Sequence, residues 1–175
     1  MRNGSKTRRV ARTGLLFALA LILQYLESLV PVPFPAAPGI KLGLSNVVTM
    51  FCLFSVGLPE AFLIAVLKGG FAFLTRGPAA GTLSLAGGLL SVAVMLVLTK
   101  TGQSRGLTGV AGAVSHNMGQ LSAECIMMGS SAALYYAPLL IISGIVMGTV
   151  TAYAYKAAEP YLERVRSGAG DGHEQ

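Results

Sequence analysis

Between residues 114 and 128 the chain reads VSHNMGQLSAECIMM, a run that holds His116, Asn117, Gln120 and Glu124. At about 3.6 residues per turn, positions 116, 120 and 124 stack one turn apart, and 117 lies beside 120 and 124. An imidazole, two carboxamides and a carboxylate on one helix face can bind a small solute through hydrogen bonds and charge. The same groups can also serve as hydrogen-bonding glue between neighbouring helices. Their surroundings are apolar, and segment 106–128 is long enough to be a membrane helix. Polar side chains at that depth are costly unless they meet partners, water or a ligand.

Other groups fall at matching positions. Lys68 sits near the middle of a second apolar segment and Arg76 at its end, while Asn46 opens a third. Lys68 and Glu124 could neutralise each other. Three bases (Lys41, Lys68 and Arg76) against one or two acids favour an anionic or carboxylated ligand. Flavins, thiamin-like cations and quinone precursors all fit such a mixed lining, so the ligand stays open.

Several chemistries are excluded. No GxxxxGK[ST] nucleotide loop occurs. Cys52 and Cys125 lie in apolar segments far from any CxxC spacing, which argues against a zinc site or disulfide framework. No metal or cofactor is expected.

The elements that position these groups are apolar. Of 175 residues, 53% are hydrophobic and 11% charged, with a mean hydropathy of +0.66. Soluble domains carry about 25% charged residues, so an integral membrane protein is expected. The net charge of +6 does not indicate nucleic acid, because the bases flank apolar segments instead of forming a stripe interleaved with aromatics.

Residues 1–9 form a basic arm, and 10–158 hold six apolar segments. Residues 159–175 make a charged end and a Ser/Gly/Asp/His tail that is expected to be disordered. The first apolar run, 10–30, outlasts the hydrophobic core of a signal peptide and reads as a retained transmembrane helix. Pro31, Pro33, Pro35 and Pro38 forbid helix afterwards, so 31–41 is expected to be an extended loop. It is apolar as well as stiff, as a lid would be, with Pro33, Phe34, Pro35 and Lys41 as its gating residues. Segments 42–57 and 59–76 follow, each somewhat shorter than a 30 Å membrane core requires at about 1.5 Å per residue. A full crossing and a hairpin that enters and returns both fit that length. Segments 79–99, 106–128 and 135–158 complete the set.

Orientation follows from the bases. Six crossings with both termini cytoplasmic put Arg2, Lys6, Arg8, Arg9, Arg12, Lys100, Arg105, Lys156, Arg164 and Arg166 inside and only Lys41 and Arg76 outside. The expected fold is therefore all-α, a six-helix bundle in the cell membrane of a bacterium. His116 and Asn117 then lie near mid-membrane, with Gln120 and Glu124 progressively nearer the outer surface. Together with Asn46, Lys68 and Arg76 they define an outward-facing solute site beneath the proline-rich lid.

Small residues form a second pattern. Ala11, Gly14 and Ala18 make a flat stripe on the first helix, and Gly144, Gly148 and Ala152 make another on the sixth. Such stripes let helices approach closely. On the sixth helix the expected role is packing within the bundle; on the first, docking of a partner protein.

The basic arm, the stripe on the first helix, the Pro-rich loop, the KLGLSN run opening the second helix and the SHNMGQL run on the fifth resemble the substrate-binding S components of energy-coupling factor vitamin transporters. More closely, the chain resembles the branch called Gx transporters, often labelled heptaprenyl diphosphate synthase component I. The resemblance covers about 10–158. It implies an outer pocket capped by the loop between the first two helices. It also implies that the stripe of the first helix docks on a transmembrane T component driven by two ATPases. Gly14 stands where the family stripe has its first Ala.

The enzyme label meets an obstacle in the sequence. Prenyl diphosphate synthases bind Mg²⁺ and diphosphate through aspartate-rich motifs, because hard cations need clustered carboxylates. This chain has one Asp, Asp171, in its tail. Autonomous synthase activity is not expected, which leaves solute capture for an importer or a non-catalytic membrane role in prenyl or quinone metabolism.

Overall fold

The computed structural model describes residues 2–29 and 45–167. The proline-rich segment 31–41, with the expected gate Pro33, Phe34, Pro35 and Lys41, lies outside the described residues, as do 168–175 of the tail.

The described residues are helical throughout, without a strand: α1 (Arg2–Leu29), α2 (Asn46–Ser55), α3 (Leu58–Arg76), α4 (Pro78–Lys100), α5 (Arg105–Met128), a short 3-10 segment (Ser131–Tyr136) and α6 (Ala137–Ser167). Four of these elements are long and apolar enough to cross a membrane. α5 falls short on hydropathy because of its polar face, and α2 because of its length.

Proline and glycine set the boundaries. α2 stops before Gly57, whose φ of 146° L side chains rarely adopt. Pro59 and Pro78 occupy the first turns of α3 and α4, where a missing N–H costs nothing. Ser104 caps α5 by accepting from the Leu107 N–H, and Gly129 closes the helix at φ 60°. Three segments differ from the sequence expectation. The basic arm is helical and continuous with α1, as Arg and Lys, good helix formers, allow. α2 ends at Ser55, short of the expected 57, while 42–44 lie outside the described residues, and α6 runs on past 158, through Pro160, to Ser167.

Charged contacts fix how α1 and α3 run. Arg9, two turns into α1, pairs with Glu60 in the first turn of α3. Glu27 lies close enough to Arg76 for their charges to attract at the far end of both. The helices are therefore parallel, and the intervals match: Arg9 to Glu27 is about 27 Å and Glu60 to Arg76 about 24 Å of helix. The chain between them must travel back, and α2 supplies about the last 15 Å of that return. α3 to α6 then alternate in direction. Arg105 at the start of α5 stacks over Phe54, near the end of α2, and over Tyr155, in the later half of α6, so these three segments meet. Arg9, Arg12, Glu60, Arg105 and Lys156 accordingly share one end of the bundle.

The buried face of α1 is Thr13, Leu16, Ala20, Gln24 and Glu27, spaced three and four apart. Leu16 and Ala20 pack with Val48, Cys52, Ala61 and Ile64. α5 is the central helix, packed against both α4 and α6. Glycines make that packing close. A Cβ on Gly119 of α5 would meet the Ala86 carbonyl oxygen at 2.8 Å. On α6, a Cβ on Gly144 would meet the Val114 Cα at 2.9 Å and one on Gly148 the Val110 Cα at 2.5 Å. The stripe of α6 therefore packs inside the bundle, as expected.

Candidate functional site

Asn46, Lys68, His116 and Gln120 are brought together inside the bundle, each at most 5% exposed. Their convergence follows from helix geometry. Asn46 opens α2 on its buried face, and Lys68 shares the inward side of α3 with Ile64, Ala65 and Ala72. His116 and Gln120, one turn apart on α5, both lie against Gly87 of α4. A Cβ on Gly87 would stand 2.8 Å from Gln120 Cγ and 2.9 Å from His116 Cε1, so only glycine leaves those side chains room.

The groups form a polar belt across α2, α3 and α5. Lys68 Nζ donates to Asn46 Oδ1 at 3.5 Å, at the long end of hydrogen bonding. The Lys68 charge also acts on His116, whose imidazole reaches the Gly87 backbone. Several buried polar atoms of the belt have no hydrogen-bond partner among the described residues: Asn46 Nδ2, Thr49 Oγ1, His116 Nδ1 and Gln120 Oε1. Each such group costs about 1–3 kcal/mol when left unsatisfied in an apolar interior. Complementary donors and acceptors would offset that cost.

The remaining expected site residues are placed differently. Asn117 turns toward α6, its amide nitrogen donating to the Leu140 carbonyl at 2.8 Å and to Ser143 Oγ at 3.2 Å. It clamps α5 to α6, although its buried Oδ1 has no partner among the described residues. Glu124 is half-buried, two turns or about 12 Å beyond His116 along α5. Arg76 is exposed at the end of α3, beside Glu27. These two mark the rim of the site and not its floor.

Gln24 and Glu27 complete the picture from α1 and had no place in the sequence-based site. Both are buried, at 5% and 3% exposure. Their signal was available, since they continue the spacing of Thr13, Leu16 and Ala20 around the inward face. Among the described residues, no group of three or more His, Cys, Asp or Glu side chains is placed to hold a metal ion.

The stripe on α1 contrasts with that on α6. Ala11, Gly14 and Ala18 are exposed, opposite the buried face, and a Cβ on Gly14 would meet nothing within 4 Å.

No curated protein and no solved structure matches the chain. A family match does exist: the family described as heptaprenyl diphosphate synthase component I matches residues 16–158, from the inward face of α1 to the later turns of α6. That span contains the whole polar belt and α2 to α5, and on it the chain belongs to the heptaprenyl diphosphate synthase component I family.

Proposed function

We propose that this protein is a membrane-embedded substrate-binding subunit, of the S type, in an energy-coupling factor importer for a small vitamin-like or cofactor-precursor solute. The observation that carries the reading is the polar belt. Asn46, Lys68, His116 and Gln120 present a cation and several uncommitted donors and acceptors inside an otherwise apolar bundle. Arg76, Glu124 and, as part of the α5 wall, Asn117 would bound the site. In this reading the chain crosses the bacterial cell membrane six times with both termini cytoplasmic. Support comes from the parallel run of α1 and α3, the alternation that follows, and the ten of the chain's thirteen Lys and Arg that this topology puts on the same side. Segment 31–41, with Pro33, Phe34, Pro35 and Lys41, would then gate the outer mouth.

The stripe of Ala11, Gly14 and Ala18 is the docking face for a transmembrane T component, which passes on the work of two ATPase subunits. Its exposure supports this role, because a small-residue stripe with nothing against it offers a second helix close approach. Capture and power are thereby divided between the two faces of α1. One face helps line the site through Gln24 and Glu27, and the other is turned outward.

Native mass spectrometry of freshly purified protein tests the central claim. A retained small molecule is expected, to be lost in Gln120→Ala and Lys68→Met, with solute uptake lost in parallel. Protein that retains nothing, in cells whose uptake survives both substitutions, would count against it.

The family name favours a second reading, a non-catalytic membrane component associated with heptaprenyl diphosphate or menaquinone side-chain synthesis. That reading predicts co-purification with a soluble synthase. The importer reading predicts co-purification with ATPase subunits, abolished by Gly14→Leu. One affinity pull-down separates them.

A further inference from the structure

Around the belt, Gln24 Oε1, Asn46 Nδ2, Thr49 Oγ1, His116 Nδ1 and Gln120 Oε1 have no hydrogen-bond partner among the described residues. Each of the five residues is at most 5% exposed. Gln24 joins the set from α1. Arg12 donates to the Ser55 carbonyl, and Ala20 and Val48 share a core cluster further along, so α1 and α2 pass each other in opposite directions. At about 1.5 Å per residue from the Arg12 contact, Asn46 comes level with the turn between Ala20 and Gln24.

The chemistry of the set is three carboxamides, a hydroxyl and an imidazole. The bases that favoured an anionic ligand are placed otherwise. Lys68 donates to Asn46 and has a further interaction besides. Arg76 is exposed at the rim beside Glu27, and Lys41 lies outside the described residues.

A carboxamide offers one donor and one acceptor group side by side. A carboxylate guest only accepts, which leaves the acceptor half of each carboxamide unmet. An ammonium only donates, which leaves the donor half unmet. A cyclic amide meets both halves at once, as the paired edge of adenine is met by Asn or Gln. A polyol also donates and accepts, but it is polar on every side. The belt is polar at one level only. Ala20, Val48 and Ile64 pack together toward one end of the bundle, and Ala72 and Leu121 are buried toward the other. Such layering suits a flat ring, hydrogen-bonded at its edge and apolar on its faces.

We infer that the captured solute is an uncharged, planar nitrogen heterocycle with a cyclic amide edge, lactam or ureide. Gln24, Asn46 and Gln120 hold that edge, and Thr49 and His116 meet the remaining polar atoms of the ring. The inference rests on the solute-capture reading and narrows its substrate class.

Lumazine and two relatives test it, because one ring system carries each alternative. Lumazine presents an uncharged ureide edge at mildly acidic pH. In 1,3-dimethyllumazine the N–H groups of that edge are methylated, and lumazine-6-carboxylate adds an anion. Binding to the purified full-length protein is read from the shift in unfolding midpoint and from native mass spectrometry. Lumazine should bind about tenfold or more tightly than either relative, since one lost or unmet buried hydrogen bond is worth about that factor. Gln24→Met and Gln120→Met each remove a carboxamide at nearly constant volume. Both also remove an unmet buried group, so the empty variants should unfold no earlier than the parent while binding lumazine about tenfold more weakly. Equal binding of the three compounds, preference for the carboxylate, or Met variants that bind like the parent overturns the inference and leaves solute capture standing. So does a protein that binds none of them yet retains from the cell a molecule without a cyclic amide. A protein that binds none and retains nothing overturns the capture reading, and this inference with it.

Discussion

Gly14 and Gly148 are the middle residues of small-residue stripes of the same kind, yet alanine at the two positions should shift stability in opposite directions. Alanine in a helix is favoured over glycine by about 0.5–1 kcal/mol, because glycine loses more backbone freedom on folding. At Gly14 nothing lies within 4 Å of the added Cβ, so Gly14→Ala should be neutral or slightly stabilising. At Gly148 the added Cβ would stand 2.5 Å from Val110 Cα and 3.0 Å from the Gly109 carbonyl oxygen. Both atoms are backbone, so no side chain can rotate away and α5 and α6 must separate. Overpacking of this kind costs about 1–3 kcal/mol, against which the propensity gain is small. A net loss of about 1–2 kcal/mol corresponds to a fall of about 2–8 °C in the unfolding midpoint for a chain of this size. Thermal unfolding of purified protein, followed by loss of a monodisperse peak, measures both variants side by side. The reasoning fails if Gly148→Ala is as stable as the parent, or if Gly14→Ala loses as much.

Four further outcomes follow from the same geometry. Asn117→Leu removes the bonds to Leu140 and Ser143 and should cost about 0.6–1.7 kcal/mol, as interhelical hydrogen bonds in membranes do; thermal unfolding reads the loss, and solute retention should survive where Gln120→Ala abolishes it. Arg9→Glu places two acids together at the base of α1 and α3 and should destabilise the protein, with stability recovered when Glu60→Arg restores the pair; an unrescued double variant would deny the pairing. Cys125 is half-buried and Cys52 fully enclosed, so a maleimide should label Cys125 first and Cys52 only on unfolding, read by peptide mass spectrometry. In a cysteine-free background, a cysteine at Ser130 should react with a membrane-impermeant reagent added to intact cells, and one at Thr101 only after lysis, if the proposed orientation holds.

The α5 face was legible because one period governs it. His116, Gln120 and Glu124 are four apart, and an α-helix stacks such residues whatever surrounds them. What sequence spacing leaves undecided is which neighbour a face meets. Asn117 follows His116 by one residue, a rotation of about 100°, which carries it out of the α2–α3 side and onto α6. Its grouping with the other polar residues of α5 therefore overstated a common destination. The two stripes illustrate the same limit: a small-xxx-small pattern reads alike whether it is packed or bare. For α1 the answer lay in residues outside the pattern, since buried Gln24 and Glu27 assign the inward face and leave Ala11, Gly14 and Ala18 turned away from it. The end of α2 was placed too late because apolar composition continues through Val56, while the helix yields at Gly57, where only glycine tolerates the backbone.

The distribution of polar groups along the bundle constrains how one small chain could do two jobs. An ion pair ties α1 to α3 at one end, and the charges of Glu27 and Arg76 attract at the other. The polar belt lies between those ties, bounded by α3 on one side and α5 on the other. α5 is in turn locked to α4 through Gly87, Gly119 and the Ser91–Gly112 hydrogen bond, and to α6 through Asn117 and the glycines of α6. α2, only 10 residues long, is the short element spanning the interval, and its Asn46 is the residue that Lys68 reaches. Under the proposed capture role, a solute competing for Lys68 would act first on the contact between α2 and α3. A force applied at the exposed stripe of α1 would reach α3 through the Arg9–Glu60 pair and so the same junction. Binding and release then act on one contact from opposite sides.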